Sequence, residues 1–235
     1  MWLITRYDPV SLISLKASTA TSTGGKSLLL PTPFAFKMAL LDVVIQNVGL
    51  EQGKKHWSTI RAGQVAVHGP DRISVNNSFT KILKPNRNSG VDPDTGLISV
   101  MIRTIAFREY VQWQGPCRIA FSIEDTETEA WARWLTQIHY IGKRGGFIQA
   151  VAPPDVSENL PSDFTLLTEG IEGAFPLDGT LQLMDDCDPK LSFDAVDIYS
   201  TKSLKLGKDR ILRSVVLPYR MKRSSRGYTL YERID

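Results

Sequence analysis

Residues 126–147, TETEAWARWLTQIHYIGKRGGF, decide how this chain folds. Thr126-Glu127-Thr128-Glu129 has the form of a capping box, in which the Thr126 hydroxyl and the Glu129 carboxylate each satisfy a backbone N–H that a first helical turn leaves unpaired. Trp131, Trp134, Leu135 and Ile138 follow at helical spacing on one apolar stripe, which predicts an amphipathic helix with its tryptophans in the core. The helix runs directly into Tyr140-Ile141-Gly142-Lys143-Arg144-Gly145-Gly146-Phe147. Glycines let backbone N–H groups approach a ligand and adopt positive φ, and adjacent cations attract phosphate, so this segment reads as a loop for holding a polyanion. On its own it reads equally as a C-cap glycine followed by a solvated basic turn.

Outward from that helix, strand-like runs occupy residues 2–7, 63–68, 72–84, 98–113, 117–123 and 147–152. A first helix precedes most of them. Pro33 stands where a first-turn proline is tolerated, and Phe36, Leu40, Val43, Val44 and Val48 recur at helical spacing until Gly49. The order strand, helix, strands, helix, strand predicts an α+β, ferredoxin-like domain over residues 1–153. After Pro153-Pro154 the chain becomes acidic and rich in loop residues, and residues 209–234 return as basic, β-like segments broken at Arg226-Gly227, a hairpin signal. Residues 154–235 are therefore read as a loop-rich acidic segment and a basic, β-rich C-terminal region.

In the run 72–84, alternation separates Ile73, Val75, Phe79 and Leu83 from Arg72, Ser74, Asn76, Ser78, Thr80 and Lys84. Asn77 and Lys81 interrupt the apolar face. The polar face suits a sugar-phosphate backbone and equally any solvent-facing strand. Residues 84–96, KPNRNSGVDPDTG, form a long breaker-rich connection between two long strands, which predicts the tip of a projecting hairpin.

A chain of 235 residues that is 42% hydrophobic and 23% charged has ample material for a core. No apolar run reaches the roughly 18 residues of a membrane span, and the first residues lack a signal-peptide pattern, so a cytoplasmic protein is expected. Cys117 and Cys187 have no CxxC spacing and imply neither a disulfide framework nor a zinc site. The net charge of +3 hides segregation: residues 1–154 carry +6, residues 155–201 carry −10 and residues 202–235 carry +7. Such blocks predict a basic surface for nucleic acid and an acidic segment that is a solvated loop region.

Other motifs fail on spacing. Gly24-Gly25-Lys26-Ser27 resembles the end of a Walker A loop, but Ala20 stands where its first glycine belongs and Leu-Leu-Leu-Pro follows instead of a helix, which excludes that mode of nucleotide hydrolysis. Asp185, Asp186 and Asp188 lack the glycine and distal glutamate of a calcium loop and read as a solvated acidic turn. No metal or cofactor is expected. Of the three histidines, His56 beside Lys54, Lys55 and Trp57 is the one in a context for a general base.

One family combines these features. Lys26-Ser27-Leu28-Leu29-Leu30-Pro31-Thr32-Pro33 running into the helix 34–48, Val75-Asn76-Asn77 before a long hairpin, the loop Ile141 to Phe147, and Leu217-Pro218-Tyr219-Arg220 with residues 225–231, SRGYTLY, together resemble CRISPR-associated protein family five over most of the chain. Met38-Ala39-Leu40 stands where many members carry a mid-helix glycine. The resemblance implies a ferredoxin-like core, a glycine-rich loop after the second helix, and a thumb hairpin at about residues 76–103. It also implies a non-catalytic role in a type I Cascade complex: gripping the 5′ handle of the guide RNA, capping the backbone-subunit filament, and contacting the large subunit near the protospacer-adjacent motif of the target DNA, while base pairing selects sequence.

On this reading the handle lies across the sheet and against Gly142, Lys143, Arg144, Gly145 and Gly146, with Lys143 and Arg144 on phosphates. Lys26, Ser27, Lys37, Arg72, Asn76, Asn77, Lys81, Lys84, Arg87 and Arg103 extend the track. A second cluster, Tyr219, Arg220, Lys222, Arg223 and Arg226, reaches RNA, DNA or a neighbouring subunit. Some relatives process precursor guide RNA without metal, and here His56, Lys55 and Tyr110 or Tyr140 would supply base, stabiliser and proton donor. A protein-only adaptor working through residues 155–201 is a third reading.

Overall fold

The structure, a computed structural model, describes residues 1–17, 20, 25–86, 90–98, 100–124, 128–142, 145–169 and 178–234. In chain order the elements are β1 (Trp2–Pro9), β2 (Leu15–Lys16), β3 (Ser27–Leu28), α1 (Pro33–Val48), α2 (Leu50–Ala62), β4 (Val65–His68), β5 (Arg72–Pro85), β6 (Met101–Trp113), β7 (Cys117–Ser122), α3 (Thr128–Thr136) and β8 (Ile148–Ala150). The remainder comprises β9 (Asp155–Ser157), β10 (Thr165–Leu166), β11 (Thr180–Cys187), α4 (Phe193–Val196), β12 (Arg210–Leu217), β13 (Tyr219–Ser224) and β14 (Tyr228–Arg233). One sheet has the order β10-β4-β7-β1-β8, with β9 also pairing β1. Its antiparallel inner strands β4, β7, β1 and β8, with α1 and α2 connecting β1 to β4 and α3 connecting β7 to β8, make the ferredoxin-like core that the sequence predicts.

Capping explains where α1 begins: the Thr32 hydroxyl accepts a hydrogen bond from Ala35 N at 3.1 Å, and Pro33 occupies a first-turn position. Gly49, at φ +80, ends α1 and at once begins α2. The sequence reading has no helix here, because residues 50–62 bury only Gly53, Trp57 and Ile60 and so lack a continuous apolar stripe. Gly53 lets α2 approach α1 closely, since a Cβ there would lie 2.7 Å from Ile45 Cγ1. Trp131, Trp134, Leu135 and Ile138 are buried as expected; of the two capping-box residues, Glu129 stands in the first turn of α3 and Thr126 lies outside the described residues.

β5 and β6 pair continuously from Ile73↔Trp113 to Pro85↔Met101, the long hairpin read from the sequence. They share a second sheet, of order β13-β14-β5-β6, with the C-terminal hairpin. Only the base of the apolar face is covered: Ile73, Val75, Val111 and Trp113 are buried, while Phe79, Leu83 and Ile105 are about 60% exposed. The expected single apolar face thus meets the core over a few residues and then projects beyond it. β11 and β12 form a separate ribbon, and its Met184, Cys187, Val215 and Leu217 belong to the same core cluster as Leu3, Phe36 and Trp131. The acidic segment is therefore not all solvated loop. Asp185 and Asp186 are 4% exposed on β11, because Arg210 and Lys37 neutralise them there.

Candidate nucleic-acid interface

Hydrogen bonds at its base hold the glycine loop. Tyr140 bridges Phe147, and Ile141 N donates to Gly146 O at 3.0 Å. Ser11, just beyond β1, donates its hydroxyl to the Gly145 carbonyl and accepts from Phe147 N at 2.8 Å. Gly142 and Gly145 have φ of +72° and +104°, conformations that favour glycine. A Cβ on Gly142 would lie 2.7 Å from Leu15 Cδ2, a side-chain tip that can turn aside, so the loop lies close against β2 and the positive φ is what calls for glycine.

That approach frames a groove of about 450 Å³. Gly142 and Tyr140 form one wall, the first turns of α1 with Thr32, Phe34 and Met38 form another, and Leu15 and Lys16 of β2 border it. The first turn of α1 contains no acidic residue, so the positive end of the helix dipole opens here uncompensated. Lys16 is exposed and makes no ion pair among the described residues. Asp185 also lines the groove, but Arg210 donates to it from Nε at 2.8 Å and lies 4.5 Å over the Phe34 ring. A groove with a helix N-terminus, free ammonium charge and two aromatic rings suits a phosphate-bearing chain. Lys143, Arg144 and Arg87 lie outside the described residues.

The other candidates do not form one track. Lys37 is 1% exposed, and its Nζ donates to Asp186 Oδ1 at 2.7 Å and to Arg61 O at 2.8 Å. It is a core residue: a helical position facing the β11 ribbon buries its ammonium, and a carboxylate compensates it there. Lys26 is exposed but pairs with Glu109 at 2.6 Å. Ser27 uses its hydroxyl to accept from Leu15 N at 2.9 Å, and its own N–H donates to Glu109. Asn77 ties the hairpin to the C-terminal turn, donating Nδ2 to Arg226 O at 3.0 Å.

Along β5 and β6, strand parity separates the rest. Arg72, Asn76 and Lys84 share one face, whereas Lys81 and Arg103 lie on the other beside Phe79 and Ile105. Arg72 pairs with Glu232 at 3.3 Å and Arg220 with Asp178 at 3.3 Å. The sequence reading missed Lys16, Phe34 and Arg210 as groove residues. Phe34 adjoins the quoted 26–33 segment, Lys16 lies well ahead of it, and Arg210 stood in the basic block, but only their long-range packing reveals the groove.

His56 packs edge-on to Trp131 and Trp134, with ring centroids 5.6 and 5.0 Å away. The Tyr140 hydroxyl donates to Asp42 at 3.1 Å, and Tyr110 stands on the hairpin sheet opposite Asn76. Burial pushes the Cys187 thiol up to about 12, which makes it a packing residue rather than a nucleophile.

No family model matches the chain, and no curated protein matches it in sequence. In structure it is similar to a CRISPR protein from Archaeoglobus fulgidus, with a TM-score of 0.51 and 15% identity over 100% of this chain and 92% of that one. It is also similar to a chain of a CRISPR RNA-guided surveillance complex, with a TM-score of 0.46 and 13% identity over 100% of this chain and 91% of that one. No helix among the described residues is long and apolar enough to cross a membrane. The likeness to the Archaeoglobus protein is one of fold.

Proposed function

We propose that the chain is a non-catalytic subunit of a type I CRISPR Cascade complex that grips the 5′ handle of the guide RNA. The observation that carries this reading is the groove in which Gly142, the N-terminal turns of α1 and Lys16 converge, on a fold shared with a CRISPR protein. The handle lies along the groove with its phosphates toward the amides of the loop, the end of α1, Lys16, Lys143 and Arg144. The hairpin β5–β6 reaches the backbone subunit, the large subunit and target DNA near the protospacer-adjacent motif. The packing of His56 against two tryptophans favours gripping over cutting.

Binding of repeat-derived handle RNA measured against salt tests this. Replacing Lys143 and Arg144 together by Ala should reduce the slope of log K against log salt by about 1.4, the value for two phosphate contacts on a single strand. An unchanged slope removes the loop from the site. Incubation with full repeat RNA in EDTA separates gripping from processing: intact RNA supports the first, and cleavage lost in His56→Ala supports a metal-independent endoribonuclease.

A further inference from the structure

The hairpin sheet has a second face that the groove does not use. Cross-strand register puts Tyr228 of β14, Asn76 of β5 and Tyr110 of β6 opposite one another in a single row. Residues paired directly across antiparallel strands point to the same side, and this side is opposite to Ile73, Val75, Val111 and Trp113, which enter the core. The row is therefore an aromatic, an amide and an aromatic, with both tyrosine side chains half-exposed.

Charge on this face is one-sided. Arg108 adjoins the row opposite Ser78, and Arg223 of β13 lies opposite Leu230. Both are exposed and neither has an ion pair among the described residues. Among the described residues, Glu232 is the carboxylate that the strands carry on this face, and it is already engaged by Arg72 at 3.3 Å and Lys222 at 3.2 Å. A solvent-facing sheet with two tyrosines between unpaired guanidinium groups fits a ligand that offers both flat rings and negative charge.

We propose that this face is a second binding site, for single-stranded nucleic acid, which shares no residue with the groove and does not rest on the handle reading. One base stacks on Tyr228 and another on Tyr110. The two rings are two strand spacings apart, about 10 Å, which leaves room for one intervening nucleotide over Asn76. The Asn76 amide supplies a donor and an acceptor to that nucleotide, and Arg108 and Arg223 take the flanking phosphates.

The test uses the full chain and anisotropy titrations of labelled oligothymidylate and oligouridylate of equal length. Tyr110→Ala and Tyr228→Ala should each weaken binding about tenfold, and Tyr→Phe at either position should retain it, because stacking needs the ring and not the hydroxyl. Arg108→Ala with Arg223→Ala should lower the salt slope by about 1.4. In a Lys16→Ala background, which weakens any contribution from the groove, Tyr110→Ala and Tyr228→Ala should each still cost about tenfold, so failure of the handle reading would not disturb this result. Oligouridylate bound more tightly assigns RNA as the ligand, and equal binding assigns any single strand. Full affinity in folded Tyr110→Ala/Tyr228→Ala overturns the proposal, as does wild-type protein that binds neither oligonucleotide.

Discussion

Lys37 shows how far one side chain can depart from its reading in sequence. A lysine four residues into a helix after a proline-bounded basic segment reads as a phosphate contact, and its local sequence gives no sign of Asp186, 149 residues away, with which it pairs. Asp186 Oδ1 also accepts from Cys187 N at 2.7 Å, and Arg213 stands 3.7 Å from Oδ2, so the carboxylate joins α1 to the β11–β12 ribbon. Removing one member of such a pair leaves the other buried and uncompensated, which outweighs the lost attraction itself. Lys37→Met should therefore destabilise the protein by about 3–5 kcal/mol in urea unfolding, with the salt slope of RNA binding unchanged. A stable variant with a lowered slope would return Lys37 to the interface.

The strands of the hairpin were legible almost residue by residue, because period-2 alternation and the breaker-rich 84–96 connection are local signals. Which part of its apolar face would be covered was not, since that depends on how far the core extends beneath it. The missed helix α2 has the same explanation: its contacts are a close glycine crossing and two large side chains, not a stripe. Beyond the core, Phe79 and Phe107 contact each other at 5.1 Å, and Lys81 and Arg103 share their face. Exposed residues of this kind contribute little to folding while favouring association. Phe79→Ser combined with Ile105→Thr should shift unfolding by no more than about 0.5 kcal/mol per site and reduce self-association in light scattering. A large loss of stability would mean that the distal hairpin packs on the chain's own core.

For the molecule as a whole, the sequence suggested a boundary after Pro153-Pro154, where composition changes abruptly, and the glycine loop was legible on one side of it. The groove was not, because its wall near Arg210 and Asp185 comes from the other side. Packing also crosses that point. β10 extends the ferredoxin-like sheet through β4, and β14 joins the hairpin sheet through β5, from Tyr228↔Asn76 to Glu232↔Arg72. Tyr219 is 1% exposed and donates its hydroxyl to Pro70 O at 2.6 Å, while Arg233 donates to Gly69 O at 3.2 Å. The last strands thus fasten the β4–β5 connection from which the hairpin springs. Deleting residues 219–235 would strip a strand from β5, empty the Tyr219 site and leave the Pro70 carbonyl without its partner, a combination of cavity and unsatisfied polar group that costs several kcal/mol. The shortened chain should lose its cooperative thermal transition or melt well below the full chain, and amides of β5 near Ile73 should lose protection in hydrogen exchange. If it instead melted at the same temperature with β5 still protected, the C-terminal strands would be an appendage, and the surface they share with the hairpin would have no part in fixing its direction.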